Sequence, residues 1–295
     1  MKTTVVAGML GAGKTSFILN YLKNRDERVV VLVNDFGKLG IDGDIISQDG
    51  YESIELPSGC VCCTLKFDFV TTIKAVVKEQ SPEHLIIEPS GVASPSAVIE
   101  ALQLAGKREV TVVLLVDVNE FLDVYDSDMY GRFFEDQVRY ADLVLLNKVD
   151  LSDSKRIKRC RDIISEWNHH AVITESTYGK VDLEVPHGSD KGLIENSSGI
   201  PHIDCETIAL NMGIEPLDYN NLYSLFEDMC RSRYGRVVRA KGLFITDRGN
   251  YRIDLSNGGV SAERYGGEIS ESRLVVLGTG LKLTSRDIFE NTNNY

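Results

Sequence analysis

The chain has 295 residues, a hydrophobic fraction of 43% and a formal net charge of −12. That length accommodates one large or two medium domains with full cores, and the composition is ordinary for a globular chain. With no long basic run to offset the acidity, nucleic acid and anionic membrane surfaces are not expected as partners.

The first predicted strand is Thr3-Thr4-Val5-Val6-Ala7, a short β-branched run. Gly8-Met9-Leu10-Gly11-Ala12-Gly13-Lys14-Thr15 follows and fits G-x-x-x-x-G-K-S/T, the phosphate-binding P-loop. Ser16 to Leu22 then shows helical spacing of apolar residues. A loop between strand and helix is the context the motif requires. Gly8, Gly11, Ala12, Gly13 and Ser16 are thus candidate nucleotide-binding residues. Backbone N–H groups and the helix N-terminus would hold phosphate oxygens. Lys14 would reach the β- and γ-phosphates, and the Thr15 hydroxyl would bind Mg²⁺. A glycine-rich turn before an ordinary helix is the structural alternative. The opening Met1-Lys2 resembles a signal peptide, but its apolar run is short and leads straight into the loop. No apolar run of about 18 residues predicts a transmembrane helix.

A second buried strand, Arg28 to Val33, runs into the polar, glycine-rich segment 34–43, which carries Asp35 and Asp42. Its place at a strand's carboxyl end suits a switch loop near Mg²⁺ and the γ-phosphate; a plain surface loop is the alternative. Next come Cys60, Cys62 and Cys63, three of the six cysteines within four residues, preceded by Pro57 and Gly59. Without a secretory signal, a reducing cytoplasmic setting is expected, where such a cluster reads as metal or redox chemistry. Thiolates suit Zn²⁺ or Cu(I), and all three converge only if the chain turns. A thiol redox switch and buried inert cysteines are the other two readings.

Thr64 to Gln80 is predicted as an amphipathic helix, and His84 to Ile87 as a strand ending in Glu88-Pro89-Ser90-Gly91. An apolar strand ending in an acid is the Walker B pattern, with Glu88 acting through Mg²⁺ or on the attacking water. An acid that merely caps the next helix is the alternative. Glu109 to Val116 is a further strand, leading into Asp117-Val118-Asn119; Asp123 to Asp128 reads as a solvated face. Leu143 to Leu146 precedes Asn147-Lys148-Val149-Asp150, an N-K-x-D guanine-recognition pattern. Asp150 would accept from the guanine N1–H and exocyclic amine, while Asn147 and Lys148 hold the loop. Ala171 to Thr174 is a last strand, after which 176–180 would complete the base pocket. Residues 182–201, rich in Pro, Gly, Ser and Asn, read as a linker. Beyond it, strands at Asp204 to Asn211, Arg236 to Thr246, Tyr251 to Leu255 and Arg273 to Leu277, with a helix from Pro216 to Cys230, suggest a mainly antiparallel α+β unit.

These motifs together resemble the CobW-type P-loop GTPases, related to the hydrogenase and urease nickel-insertion GTPases. The resemblance rests on G-M-L-G-A-G-K-T at 8–15, V-N-D-F-G-K-L-G-I-D at 33–42, G-C-V-C-C-T at 59–64, E-P-S-G at 88–91, Q-V-R-Y-A-D-L-V-L-L-N-K-V-D at 137–150 and R-A-K-G at 239–242. It implies an α/β P-loop NTPase domain over 1–181, with a mainly parallel sheet flanked by helices. A linker at 182–201 and a small α+β domain at 202–295 complete the expectation. It further implies GTP hydrolysis with Lys14, Glu88 and Asp35 in the nucleotide–metal region. Zn²⁺ or Co²⁺ would sit on some of Cys60, Cys62 and Cys63 for delivery to a client metalloprotein. Many relatives dimerise through nucleotide, so a nucleotide-dependent homodimer is also implied. The chain departs from the pattern at three points. Only His187 of its five histidines lies in the linker, which does not suit high-capacity zinc storage. Asn119 stands near where many members carry a His ligand, and Phe244 where many carry Trp. Two other function classes remain open on sequence grounds. One is a nucleotide-gated client-binding module, for a corrinoid protein for example, with slow turnover and sensing thiols. The other is a small-molecule P-loop kinase, against which the guanine-reading tetrapeptide argues.

Overall fold

The computed structural model describes residues 1–9, 11–23, 27–33, 46, 51–55, 66–91, 93–126, 131–182, 184–192, 206–256 and 259–284. Among them the chain divides into two compact units, one before residue 193 and one after residue 205.

The first unit is built on a sheet of strands β1 (Lys2–Gly8), β2 (Val29–Val33), β3 (Ser53–Glu55), β4 (His84–Glu88), β5 (Glu109–Asp117), β6 (Leu143–Asn147) and β7 (Val172–Glu175). The order is β3-β2-β4-β1-β5-β6-β7, all pairs parallel. Helices α1 (Lys14–Leu22), α2 (Lys66–Gln80), α3 (Pro95–Leu104), α4 (Val118–Asp126), α5 (Gly131–Arg139) and α6 (Ser154–Trp167) lie between the strands in sequence, α4 and α5 both between β5 and β6. The unbroken apolar runs in β2, β4, β5 and β6 are almost wholly buried, as strands covered on both faces must be. The expected α/β P-loop architecture is therefore present. β3 went unpredicted because it has three residues and a single aliphatic one, Ile54; pairing with β2 defines it.

Residues within the stretch read as a linker are held against this sheet. β8 (Ser189–Asp190) pairs antiparallel with the start of β5. The Thr111 hydroxyl donates to the Pro186 carbonyl at 3.1 Å, and Lys191 Nζ forms an ion pair with Asp142. Composition marked this segment as loop, but its partners lie far away in the sequence, which composition does not register. At the β7 edge, Arg161 of α6 donates to the Ile173 carbonyl at 3.0 Å and pairs with Glu175 at 3.0 Å, both in β7.

At the amino ends of the strands, buried His84 lies 2.8 Å from the Thr4 hydroxyl and 3.2 Å from Glu27 Oε1. Burial would raise the Glu27 carboxyl, but hydrogen bonds from Lys2 and His84 hold it below the ordinary value. A depressed carboxyl contributes stability that is present above its unfolded pKa and lost as pH falls through the folded one. Glu27→Gln should therefore be less stable than the parent at neutral pH. The difference, read from urea unfolding, should close progressively as pH drops below about 4.

The second unit is an antiparallel sheet, β12-β11-β10-β13-β9, formed by β9 (Glu206–Asn211), β10 (Arg236–Thr246), β11 (Gly249–Ser256), β12 (Gly259–Arg264) and β13 (Arg273–Thr279). Helix α7 (Tyr219–Cys230) starts at Asp218, whose carboxylate accepts from the Asn221 N–H at 2.8 Å. Its buried face, Leu222, Leu225, Phe226 and Met229, belongs to one core cluster with Ala240, Phe244, Ile253, Leu274 and Val276. The Phe226 and Phe244 rings meet edge to face at 5.8 Å, so Phe244 fills its place as a core aromatic. Gly242 of the R-A-K-G element has no room for a side chain: a Cβ would strike the Phe244 ring and lie 2.7 Å from the Arg273 carbonyl. β12 was not foreseen because its apolar alternation is confined to Val260 and Ala262, both only partly buried, between exposed residues. Truncating Phe226 to Ala should destabilise this unit by about 3–5 kcal/mol, checked by chemical denaturation.

Candidate functional site: a two-ended nucleotide site

The parallel sheet brings Gly8, Glu88, Asp117 and Asn147 to the carboxyl ends of β1, β4, β5 and β6. This is the edge at which open α/β sheets bind ligands.

The phosphate end is the loop from Gly8 to Thr15. Gly8, Gly11 and Gly13 have φ of 137°, 72° and 105°, the left-handed side that turns the chain around a concave backbone. Gly13 also packs so closely on Asn147 that a Cβ would collide with its amide nitrogen. Helix α1 starts at Lys14 with Gly13 as its cap and no side-chain capping bond, so the first-turn N–H groups face the loop. Lys14 is buried, and its ammonium donates to the Gly8 and Met9 carbonyls at 3.1 and 3.2 Å. The Thr15 hydroxyl donates to Glu88 Oε1 at 3.0 Å. Glu88 does not cap the following helix. That role falls to Ser94, which accepts from the Ala97 N–H of α3 at 3.2 Å. A hydroxyl and a carboxylate side by side are hard oxygen donors, a set that fits Mg²⁺. Ser16 is exposed on the first turn of α1.

The end expected to read the base is organised by Asn147. This buried amide donates to the Ala12 carbonyl at 2.7 Å and accepts from the Gly179 N–H at 3.0 Å. Lys148 sits at φ 60°, and its ammonium lies 2.7 Å from the buried Asp117 carboxylate. A 3-10 turn, Val149–Leu151, then presents Asp150 at the surface. Residues 176–180 close the opposite side. The Ser176 hydroxyl donates to the Lys180 carbonyl at 2.8 Å, and Asn20 of α1 donates to the Tyr178 carbonyl at 2.8 Å.

The fold thus brings the phosphate loop, Glu88 and the 147–150 tetrapeptide to one edge. Asp35 and the cluster Cys60, Cys62 and Cys63 lie outside the described residues. Among the described residues no three His, Cys, Asp or Glu converge as a metal-binding group. Cys160 is a core residue, its thiol pushed up to about 12 by burial. No helix among them is long and apolar enough to cross a membrane. Sequence reading passed over the pairing of Asp117 with Lys148 and the Asn20 tie to Tyr178. The first had a signal: two neighbouring strands each ending in a polar residue. The second depends on tertiary approach across 158 positions and had none.

Fold and site together define a P-loop nucleotide-binding domain. The chain belongs to the CobW/HypB/UreG family, whose nucleotide-binding domain model matches residues 2–175. It is 40% identical over 221 residues to the zinc chaperone CobW of Sinorhizobium sp, a match covering 64% of this chain and 62% of that protein. It is 32% identical over 222 residues to the zinc chaperone CobW of Pseudomonas aeruginosa, covering 63% and 59%. It is 28% identical over 225 residues to the zinc-regulated GTPase metalloprotein activator 1 of Dictyostelium discoideum, covering 62% and 47%. The chain therefore spans between about half and three-fifths of the length of these curated relatives.

Replacing Asn147 with Ala leaves the Ala12 carbonyl and the Gly179 N–H without that partner. Each buried group so stranded costs about 1–3 kcal/mol. Asn147→Ala should weaken nucleotide binding by about tenfold or more, measured by titration calorimetry with GDP.

Proposed function

We propose that this chain is a GTP-hydrolysing metallochaperone or metalloenzyme activator. It loads Zn²⁺ or Co²⁺ on Cys60, Cys62 and Cys63 and couples hydrolysis to delivery of the metal to a client metalloprotein. The observation that supports the reading is the convergence of the Gly8–Thr15 loop, Glu88 and the 147–150 turn on one sheet edge. Thr15 meets Glu88 at the phosphate end, and Asn147 ties the phosphate loop to the base loop. Curated relatives named as zinc chaperones and as a zinc-regulated GTPase metalloprotein activator support the metal half.

The residues divide the work. Gly8, Gly11, Ala12, Gly13 and Ser16 supply backbone N–H groups to the phosphates. Lys14 exchanges its loop carbonyls for β- and γ-phosphate oxygens. Asp150 accepts from the guanine N1–H and amine, which adenine does not present. Thr15 and Glu88 hold Mg²⁺, whose charge would offset that building on the phosphates. GTP–Mg²⁺ orders the segment 34–43, which brings Asp35 to the nucleotide–metal region, and its release after hydrolysis alters the geometry of the thiolates. The setting is the reducing cytoplasm, with neither nucleic acid nor membrane as partner, and a nucleotide-dependent homodimer belongs to the cycle.

The decisive measurement is GTP turnover by reduced protein under anaerobic conditions, with and without one equivalent of Zn²⁺. The rate should change severalfold with the metal, and Cys62→Ser should abolish that response. A measurable rate indifferent to Zn²⁺ and to Co²⁺ would overturn the coupling and favour a client-gated binding module.

A further inference from the structure

Two side chains at the end of β5 lie outside the roles assigned above. Asp117 stands in register with Asn147 of β6. Its two carboxylate oxygens do different things. Oδ1 accepts from the backbone N–H groups of Asn119 and Glu120, at 3.1 and 3.2 Å, and starts α4. Oδ2 faces Lys148 Nζ at 2.7 Å. Two residues on, Asn119 reaches the far side of the base loop. Its Nδ2 donates to the Leu151 carbonyl at 2.9 Å. Its Oδ1 accepts from the Ser152 hydroxyl at 3.0 Å and from Arg156 Nε at 3.1 Å, while Arg156 Nη2 donates to its carbonyl at 3.1 Å.

Asp150 lies between these two anchored points. The turn that carries it is a single 3-10 turn, a conformation with poor hydrogen-bond geometry of its own. Lys148, immediately before it, holds a left-handed backbone that L side chains rarely adopt. Neither feature fixes the turn from within, so contacts from outside must. Beside the Val149 N–H bond to the Ser176 carbonyl at 3.4 Å, those contacts come from Asp117 at the end of β5 and Asn119 in the first turn of α4.

We propose that Asp117 and Asn119 are positioning residues for base recognition. They set where the Asp150 carboxylate stands, and hence how sharply the site separates guanine from a purine that lacks the exocyclic amine. The inference rests on the guanine reading of Asp150 above. A purely architectural role for the pair is the rival account, and the two oxygens of Asp117 allow a separation. Asp117→Asn keeps an acceptor for the start of α4 but removes the charge that holds Lys148.

The test is titration of the full chain, with Mg²⁺, against GDP, IDP and ADP. The parent protein should prefer GDP to both others; absence of that preference would refute the guanine reading itself, before any variant is made. Asp117→Asn and Asn119→Ala should each weaken GDP binding by about fivefold to tenfold, the net worth of one ordinary hydrogen bond. GDP should lose more than IDP, narrowing the GDP:IDP ratio at least about threefold. If Asp117 acts through Lys148, adding Lys148→Met to Asp117→Asn should bring no further loss. Equal losses for all three nucleotides, or none, would overturn the proposal in favour of the architectural account. Should Asn119→Ala fail to fold, Asp117→Asn with its double variant decides alone.

Discussion

One buried amide holds the nucleotide site together. Asn147 donates to the phosphate loop at Ala12 and accepts from the backbone at Gly179, so three loops distant in sequence converge on a single side chain. Its position is fixed by the register of β6 against β5 and by the packing of that strand between its neighbours. Because a buried polar group that loses its partner is expensive, the Gly8–Thr15 loop and the loops at 147–150 and 176–180 cannot drift independently. Gly13 records the same constraint from the other side, since its backbone approaches Asn147 too closely for any side chain.

The rest of the site follows from that fixed edge. A parallel sheet buried on both faces aligns its carboxyl ends without further instruction, and the residues placed there inherit a common surface. Glu88 meets Thr15 because β4 and β1 are paired neighbours. Asp117 meets Lys148 because β5 and β6 are. The chemistry is carried by strand ends and the turns after them, while the strands themselves carry only packing.

Much of this was legible in the sequence for a specific reason. Motifs that bind nucleotide demand fixed spacing within a few residues, so Gly8 to Thr15 and Asn147 to Asp150 announce themselves locally. The long apolar runs of β4 and β6 do so as well. What escaped was whatever depends on pairing alone. β3 and β8 are short and carry little or no apolar signal, and they exist because a neighbouring strand offers its backbone. β12, at the edge of its sheet, offers only Val260 and Ala262 as apolar alternation. The Pro-, Gly- and Ser-rich stretch around residue 188 looked like a tether yet contributes β8, which clasps the start of β5. The Asn20 bond to Tyr178 likewise spans the unit and leaves no local trace.

The outer edge of the parallel sheet has a further implication for how the molecule meets its own copies. An exposed strand is a template for another chain's backbone, and proteins that survive at high concentration blunt such edges with charge. At β7 a guanidinium, that of Arg161, occupies the Ile173 carbonyl and is anchored by Glu175. A second molecule could extend the sheet there only by evicting that cation. Any self-association of this unit is thus steered away from strand addition at β7 and toward surfaces where side chains, rather than open backbone, make the contact.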